Sequence, residues 1–141
     1  MKKLLVFFGV ALAVSACGQK LKESEVPVAV KEAFHKQFTQ VKEIKWEKEN
    51  DKLEVNFEQN DQEMSAVFTS AGVLEETEVE IKKDELPASV VTYISQNYKG
   101  SKIKEAARIT KANGEVNYEA EVKDNDLIFD PNGNFLKSVK D

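Results

Sequence analysis

Cysteine, histidine and proline are scarce in this chain of 141 residues, which has one cysteine, one histidine and three prolines. A single cysteine rules out any disulfide within the chain. One histidine and one cysteine cannot make a zinc cluster, and no nucleophile has a histidine base spaced to activate it. Neither a G-x-G-x-x-G stretch nor a P-loop is present. An excess of positive charge is missing too. Lys2 and Lys3 fall in a leader of 16 residues, so the 20 basic residues drop to 18 against 25 acidic ones, and the remainder carries −7. That balance offers no electrostatic footprint for nucleic acid. Beyond residue 16 no apolar run approaches the ~18 residues of a membrane span.

What is present begins with the leader. Met1-Lys2-Lys3 is a short basic start, and Leu4 to Val14 is an apolar stretch of eleven residues, the length of a signal-peptide core. It ends in Val14-Ser15-Ala16-Cys17, which resembles the lipobox of bacterial lipoproteins. The resemblance implies cleavage after residue 16 and diacylglycerol on the Cys17 thiol. Two or three acyl chains then make a stable membrane anchor, at ~0.8 kcal/mol per buried CH2. Gly18 stands where an Asp would favour the inner membrane in Gram-negative lipoproteins, so the expected location is the outer membrane. Residues 17–25 read as a tether, because 18–25 show no apolar period.

Residues 26–141 contain an internal repeat. Glu25-Val26-Pro27-Val28-Ala29-Val30 matches Glu85-Leu86-Pro87-Ala88-Ser89-Val90 at an offset of 60, and Glu54-Val55-Asn56-Phe57-Glu58 matches Glu115-Val116-Asn117-Tyr118-Glu119 at 61. The expectation is a tandem duplication with halves at 26–82 and 85–141. Val30, Phe34 and Phe38, and then Val90, Ile94 and Tyr98, recur at i, i+4, i+8, the stripe of an amphipathic helix. Pro27 and Pro87 suit the first turn, with Ser24 and Asp84 as candidate caps. The rest of each half alternates with period two. Its inward sets are Ile44 and Trp46; Leu53, Val55 and Phe57; Met64, Ala66 and Phe68. In the second half they are Ile103, Ala107 and Ile109; Val116, Tyr118, Ala120 and Val122; Leu127 and Phe129. Turn residues separate them, and Asn113-Gly114 predicts a type I′ hairpin. Leu74 is out of phase with Val79 and Ile81, so 73–82 must contain a bulge or bend. The predicted fold class is α+β: each half a helix followed by about four antiparallel strands, forming a broad sheet with both helices on one face.

The Val-Pro and Leu-Pro helix starts, the Lys45-Trp46-Glu47 strand followed by Glu-Val-Asn-Phe, and the closing Phe-x-x-x-Gly-x-Leu resemble the PepSY-like, β-lactamase-inhibitor-like family of exported bacterial proteins. The resemblance covers nearly all of 26–141. It implies this α+β fold in a cell-envelope protein, and supplies no catalytic residue. The second half departs from the first where Trp46 meets Ala106-Ala107, so a platform built on Trp46 is not repeated.

His35 lies about 100° from Phe34 around the helix, at the edge of the buried stripe, and reads as a boundary residue. Asp130-Pro131-Asn132-Gly133-Asn134 lacks the glycine at position six and the glutamate at position twelve of a calcium loop, and reads as a turn. Glu54 and Glu58, and Glu119 and Glu121, alternate with the inward residues and predict an outward acidic sheet face, which Glu76, Glu78 and Glu80 join if the phase break allows. The expected function is therefore a non-enzymatic envelope lipoprotein that binds a basic protein or peptide on this face, without metal or cofactor. The alternative is a structural or stress-related lipoprotein with no specific ligand, its acids solvated and paired with lysines.

Overall fold

The computed structural model describes residues 18–140; the leader, Cys17 and Asp141 lie outside the described residues. The elements are β1 (Gln19–Leu21), α1 (Val28–Gln37), β2 (Lys42–Glu49), β3 (Lys52–Gln59), β4 (Gln62–Thr69), β5 (Leu74–Glu80), α2 (Ala88–Asn97), β6 (Ile103–Lys111), β7 (Val116–Val122), β8 (Asn125–Phe129) and β9 (Phe135–Lys140). The nine strands form one antiparallel sheet in the order of the sequence. The expected tether is partly strand: residues 19–21 pair with Trp46–Lys48, and Leu21 packs on the first core.

The helix stripes pack as their spacing requires. Val30 and Phe34 of α1, with Phe38 just beyond it, join Trp46, Leu53, Val55, Phe57, Ala66 and Phe68 in one buried cluster. Val90 and Ile94 of α2 join Leu86, Ala106, Ala120, Val122, Leu127 and Phe129 in another. Register puts both clusters on one face, because Ala66 pairs with Thr77, Thr77 with Thr110, and Ala106 shares the phase of Thr110. Pro27 and Pro87 occupy the N-cap positions, and no side chain caps either helix. Ser24 and Asp84 are not the caps. Instead the Glu25 and Glu85 carboxylates accept the backbone N–H of Lys22 and Lys82, at 2.7 and 2.8 Å, closing a 3-10 turn before each helix.

Bulges correct several strand directions. Ladder register shifts between Lys42 and Lys45, Val67 and Phe68, Ile103 and Ala106, and Ile128 and Phe129. The second lets Leu74, Thr77 and Val79 share the helix-covered face, which resolves the phase break in β5. The third puts Ala106 in the core and turns Ala107 and Ile109, expected to be inward, to the opposite face, where they pair with Glu119 and Asn117. Ile44 beside the first bulge is exposed rather than buried with Trp46. At Asn113-Gly114 only Gly114 has positive φ, so the turn is not type I′; Asn113 Oδ1 accepts the Glu115 N–H at 2.9 Å. The turn with positive φ at both centres is Asn60-Asp61.

Candidate functional site

The face away from the helices carries Asn56 and Glu58 beside Glu54 on β3, Ser65 and Val67 on β4, and Glu76, Glu78 and Glu80 on β5. Ala107 and Ile109 on β6, Asn117, Glu119 and Glu121 on β7, and Asp126 and Ile128 on β8 complete it. The ladders join these in rows: Glu54–Val67–Glu76, Ser65–Glu78–Ile109–Asn117, and Glu80–Ala107–Glu119–Ile128.

This face was expected to meet solvent, and its centre does not. Glu54 is 6% exposed, Glu78 5% and Glu119 8%, and Asp126, Ser65, Asn117, Val67 and Ile128 are buried with them. Neither helix covers them, since both helix stripes pack on the other face. The sheet closes over its own side chains. Side chains on a face that no helix covers reach this depth of burial when the sheet twists and curls, bringing the side chains of neighbouring strands over them. The face is therefore concave. The four bulges are devices that bend strands and increase twist, so they account for the curl.

The four acids singled out from the sequence divide into two kinds. Glu58 and Glu121 lie half-buried at the rim, paired with Lys42 at 3.7 Å and with Lys104 at 3.0 Å. Exposed pairs of this sort contribute little to stability. Glu54 and Glu119 lie on the floor. Burial pushes the Glu54 carboxyl up to about 8, Glu47 and Glu49 push it the same way, and a hydrogen bond from Asn56 opposes them. Glu78, the residue that sequence periodicity admitted only conditionally, is the hub of the floor. Burial drives its carboxyl well above the ordinary range, and Glu119, Glu54, Glu76 and Asp126 drive it further. Burial raises Glu119 as well, aided by Asp126 and Glu121. Glu54 Oε1, Glu78 Oε1 and Asn117 Oδ1 are buried without a hydrogen-bond donor.

At one end of this face an open cleft of ≈ 890 Å³ lies between the β3–β4 turn and the 3-10 turn that precedes α2. Glu58, Glu63, Glu80 and Glu105 line it, with Lys82 and Lys104. Burial, then Glu121, Glu80 and Glu63, raise the Glu105 carboxyl to about 7. Lys104 is held by Glu121, Asp124 and the Lys123 carbonyl. Among the described residues no group of three histidines, cysteines or acids could hold a metal ion. His35 is exposed on α1, against the Phe34 ring at 5.1 Å. The Asp130 carboxylate accepts the backbone N–H groups of Asn132 and Asn134 and the Asn134 side chain, at 2.8 to 2.9 Å. That segment is a closed turn.

The described residues thus form one antiparallel sheet with two helices on one face and a row of acids on the other. The chain belongs to the family described as "Putative beta-lactamase-inhibitor-like, PepSY-like", whose model matches it twice, over residues 12–76 and 61–137. It is similar in fold to a protein of Bacteroides eggerthii described as "putative periplasmic", at 16% identity and a TM-score of 0.72, over 82% of this chain and 88% of that one. It is similar also to a BLIP-like protein of Bacteroides fragilis, at 21% identity and a TM-score of 0.64, over 81% of this chain and 86% of that one. No curated protein matches the chain.

Proposed function

We propose that this chain is a non-enzymatic binding protein of the bacterial cell envelope, anchored by lipid on Cys17 at the outer membrane, which docks a basic protein or peptide segment on its concave acidic face. We read the fold that presents this face as a tandem duplication of one helix and four strands. The observation that carries the docking reading is the floor: Glu54, Glu78 and Glu119 are buried, and the charges acting most strongly on each are other carboxylates. A scaffold alone gains nothing from that arrangement, because burying carboxyls together costs stability whether they stay charged or are forced to take up a proton. A cationic partner offsets it, and charge steers the encounter. The envelope location agrees with the "periplasmic" description of the eggerthii protein.

The second reading, a structural lipoprotein without a ligand, draws on the rim, where Lys42 and Lys104 already pair with Glu58 and Glu121. In-cell photocrosslinking separates the two. A photoreactive residue at Glu63, exposed in the cleft, is expected to capture a basic protein. The same residue at Lys36, exposed on α1, is not. Glu58→Gln with Glu121→Gln should weaken the capture, as should raised salt. Identical products from both positions, or none from Glu63, contradict docking on this face.

A further inference from the structure

We propose that the ladder between β5 and β6 is a proton-operated hinge: Glu78 keeps it closed while it carries a proton, and its ionisation parts the two cores. The hinge needs no docked partner. β5 is the middle strand of the nine and lies between the two buried clusters. The first cluster draws on α1, its flanks and β2 to β4, and the second on α2, its flank and β6 to β8. β5 adds no buried apolar residue to either, and the one buried residue along its length is Glu78. Five ladder pairs, from Glu76–Lys111 to Glu80–Ala107, join it to β6. A strand that buries so little apolar surface is where a sheet opens most readily.

The groups facing Glu78 come from both sides of that ladder. On the first side, Ser65 and Val67 of β4 stand beside β5, with Glu54 beyond them on β3. Glu76 and Glu80 share the face on β5 itself. Across the ladder stand Ile109 and Ala107 of β6, then Asn117 and Glu119 of β7, with Glu121 and the β8 residue Asp126 beyond. Glu105 and Lys104 lie at the cleft end, where Lys104 pairs with Glu121. The remaining lysines serve other acids: Lys52 pairs with Glu75, Lys111 pairs with Glu115 at 2.7 Å, and Lys111, Lys52 and Lys137 act on Glu76.

Ionised in place, Glu78 would hold a charge in a closed site, with Oε1 buried and given no donor. Such a charge either takes its proton back or reaches water. Opening the β5–β6 ladder admits water, and it carries Glu78, Glu54 and Glu76 away from Glu119 and Asp126. Each cluster keeps its own helix, so the ladder can part with both cores intact. Burial, then Glu119 and Glu54, hold the closed-state carboxyl well above the ordinary range. The closed form is therefore favoured at low pH and lost as pH rises.

Pulsed electron-spin distance measurements on the full chain in non-ionic detergent test this. Spin-labelled non-natural residues replace Lys36 on α1 and Gln96 on α2, both exposed, so that one label rides on each core. Ordinary carboxylates are already ionised at pH 7, and lysines stay charged to about pH 10, so the step from pH 7 to pH 9 acts chiefly on the floor. A single distance is expected at pH 7. At pH 9 a second population should appear, longer by at least about 4.8 Å, one strand spacing. Glu78→Gln cannot ionise and should keep the pH 7 distance at pH 9. Glu119→Gln should shrink the longer population at least about twofold, and carries the test if the first variant fails to fold. An unchanged distance at pH 9, or a longer population that persists undiminished in the folded variants, overturns the hinge. Loss of the circular-dichroism signal of the sheet along with the change in distance also overturns it, because the cores have then unfolded rather than parted.

Discussion

At Glu54 the carboxyl is raised to about 8, by burial first and then by the carboxylates of Glu47 and Glu49, whereas an unfolded glutamate titrates near about 4.3. Between those values the folded protein holds a proton that the unfolded chain has lost. Stability therefore falls as pH rises from about 4.3 to about 8, and levels off above that. Glu78 and Glu119 shift in the same direction. Asp130, lowered by its hydrogen bonds from Asn134, opposes them only below the usual carboxylate range. Thermal unfolding is expected to give a Tm at pH 5.5 about 5 °C above that at pH 8. Glu54→Gln should raise the Tm at pH 8 and flatten the profile. A Tm that falls on acidification to pH 5.5, or a profile unchanged in the variant, contradicts the burial argument. A second residue-scale prediction concerns Gly72, at φ +83 with the Ala29 carbonyl oxygen 2.6 Å from where a Cβ would stand. Gly72→Ala meets backbone that cannot swing aside, and chemical denaturation should show a loss of at least about 1–3 kcal/mol.

At the scale of the element, the two helices are short, at ten residues each, so packing rather than propensity holds them. Phe34 is the centre of the first cluster, with rings of Phe38, Trp46, Phe57 and Phe68 between 5.1 and 6.5 Å away. Phe34→Ala should cost about 3–5 kcal/mol and Ile94→Ala about 2–5 kcal/mol in denaturant unfolding. Loss of less than about 1 kcal/mol in either would mean that the helix is not seated on the sheet. Helix stripes and most strand phases are legible in the sequence because burial on one face imposes a period on the residues. The Ala107 and Ile109 error shows where that logic ends. A bulge adds one unpaired residue, so every residue after it changes face, and residues 103–106 carry no glycine or proline to announce it. The acidic face was legible as a face, since Glu54 and Glu119 alternate with core residues. Its depth was not, because period two tells which side a residue occupies and says nothing about how far the sheet curls.

Across the whole molecule, the described fold places β1 two residues after Cys17, paired at one edge of the sheet. A lipid on Cys17 would then hold the β1 edge close to the membrane surface. Cys17→Ser should move the protein from the membrane fraction to the aqueous one, and retention of that variant in membranes contradicts anchoring through this residue. Charge sets the character of the rest. Removal of residues 1–16 leaves −7, and the face away from the helices gathers the carboxyls of Glu54, Glu76, Glu78, Glu80, Glu119, Glu121 and Asp126. Surface acids with paired lysines would be ordinary solvation. On the proposed reading, a buried floor of carboxyls held protonated at neutral pH is a source of instability that a cationic partner would relieve.

That claim is tested most directly by residue-resolved chemical-shift mapping of the full chain in non-ionic detergent, titrated with a short glycine–serine peptide that carries lysines along its length, at low and then high salt. The account predicts saturable shifts in the backbone amides of β3, β5 and β7 and around Glu63 and Glu105 in the cleft, lost as salt rises, with α1 and α2 quiet. Shifts centred on the exposed side of α1 or α2, or no saturable shift at either salt concentration, would contradict it.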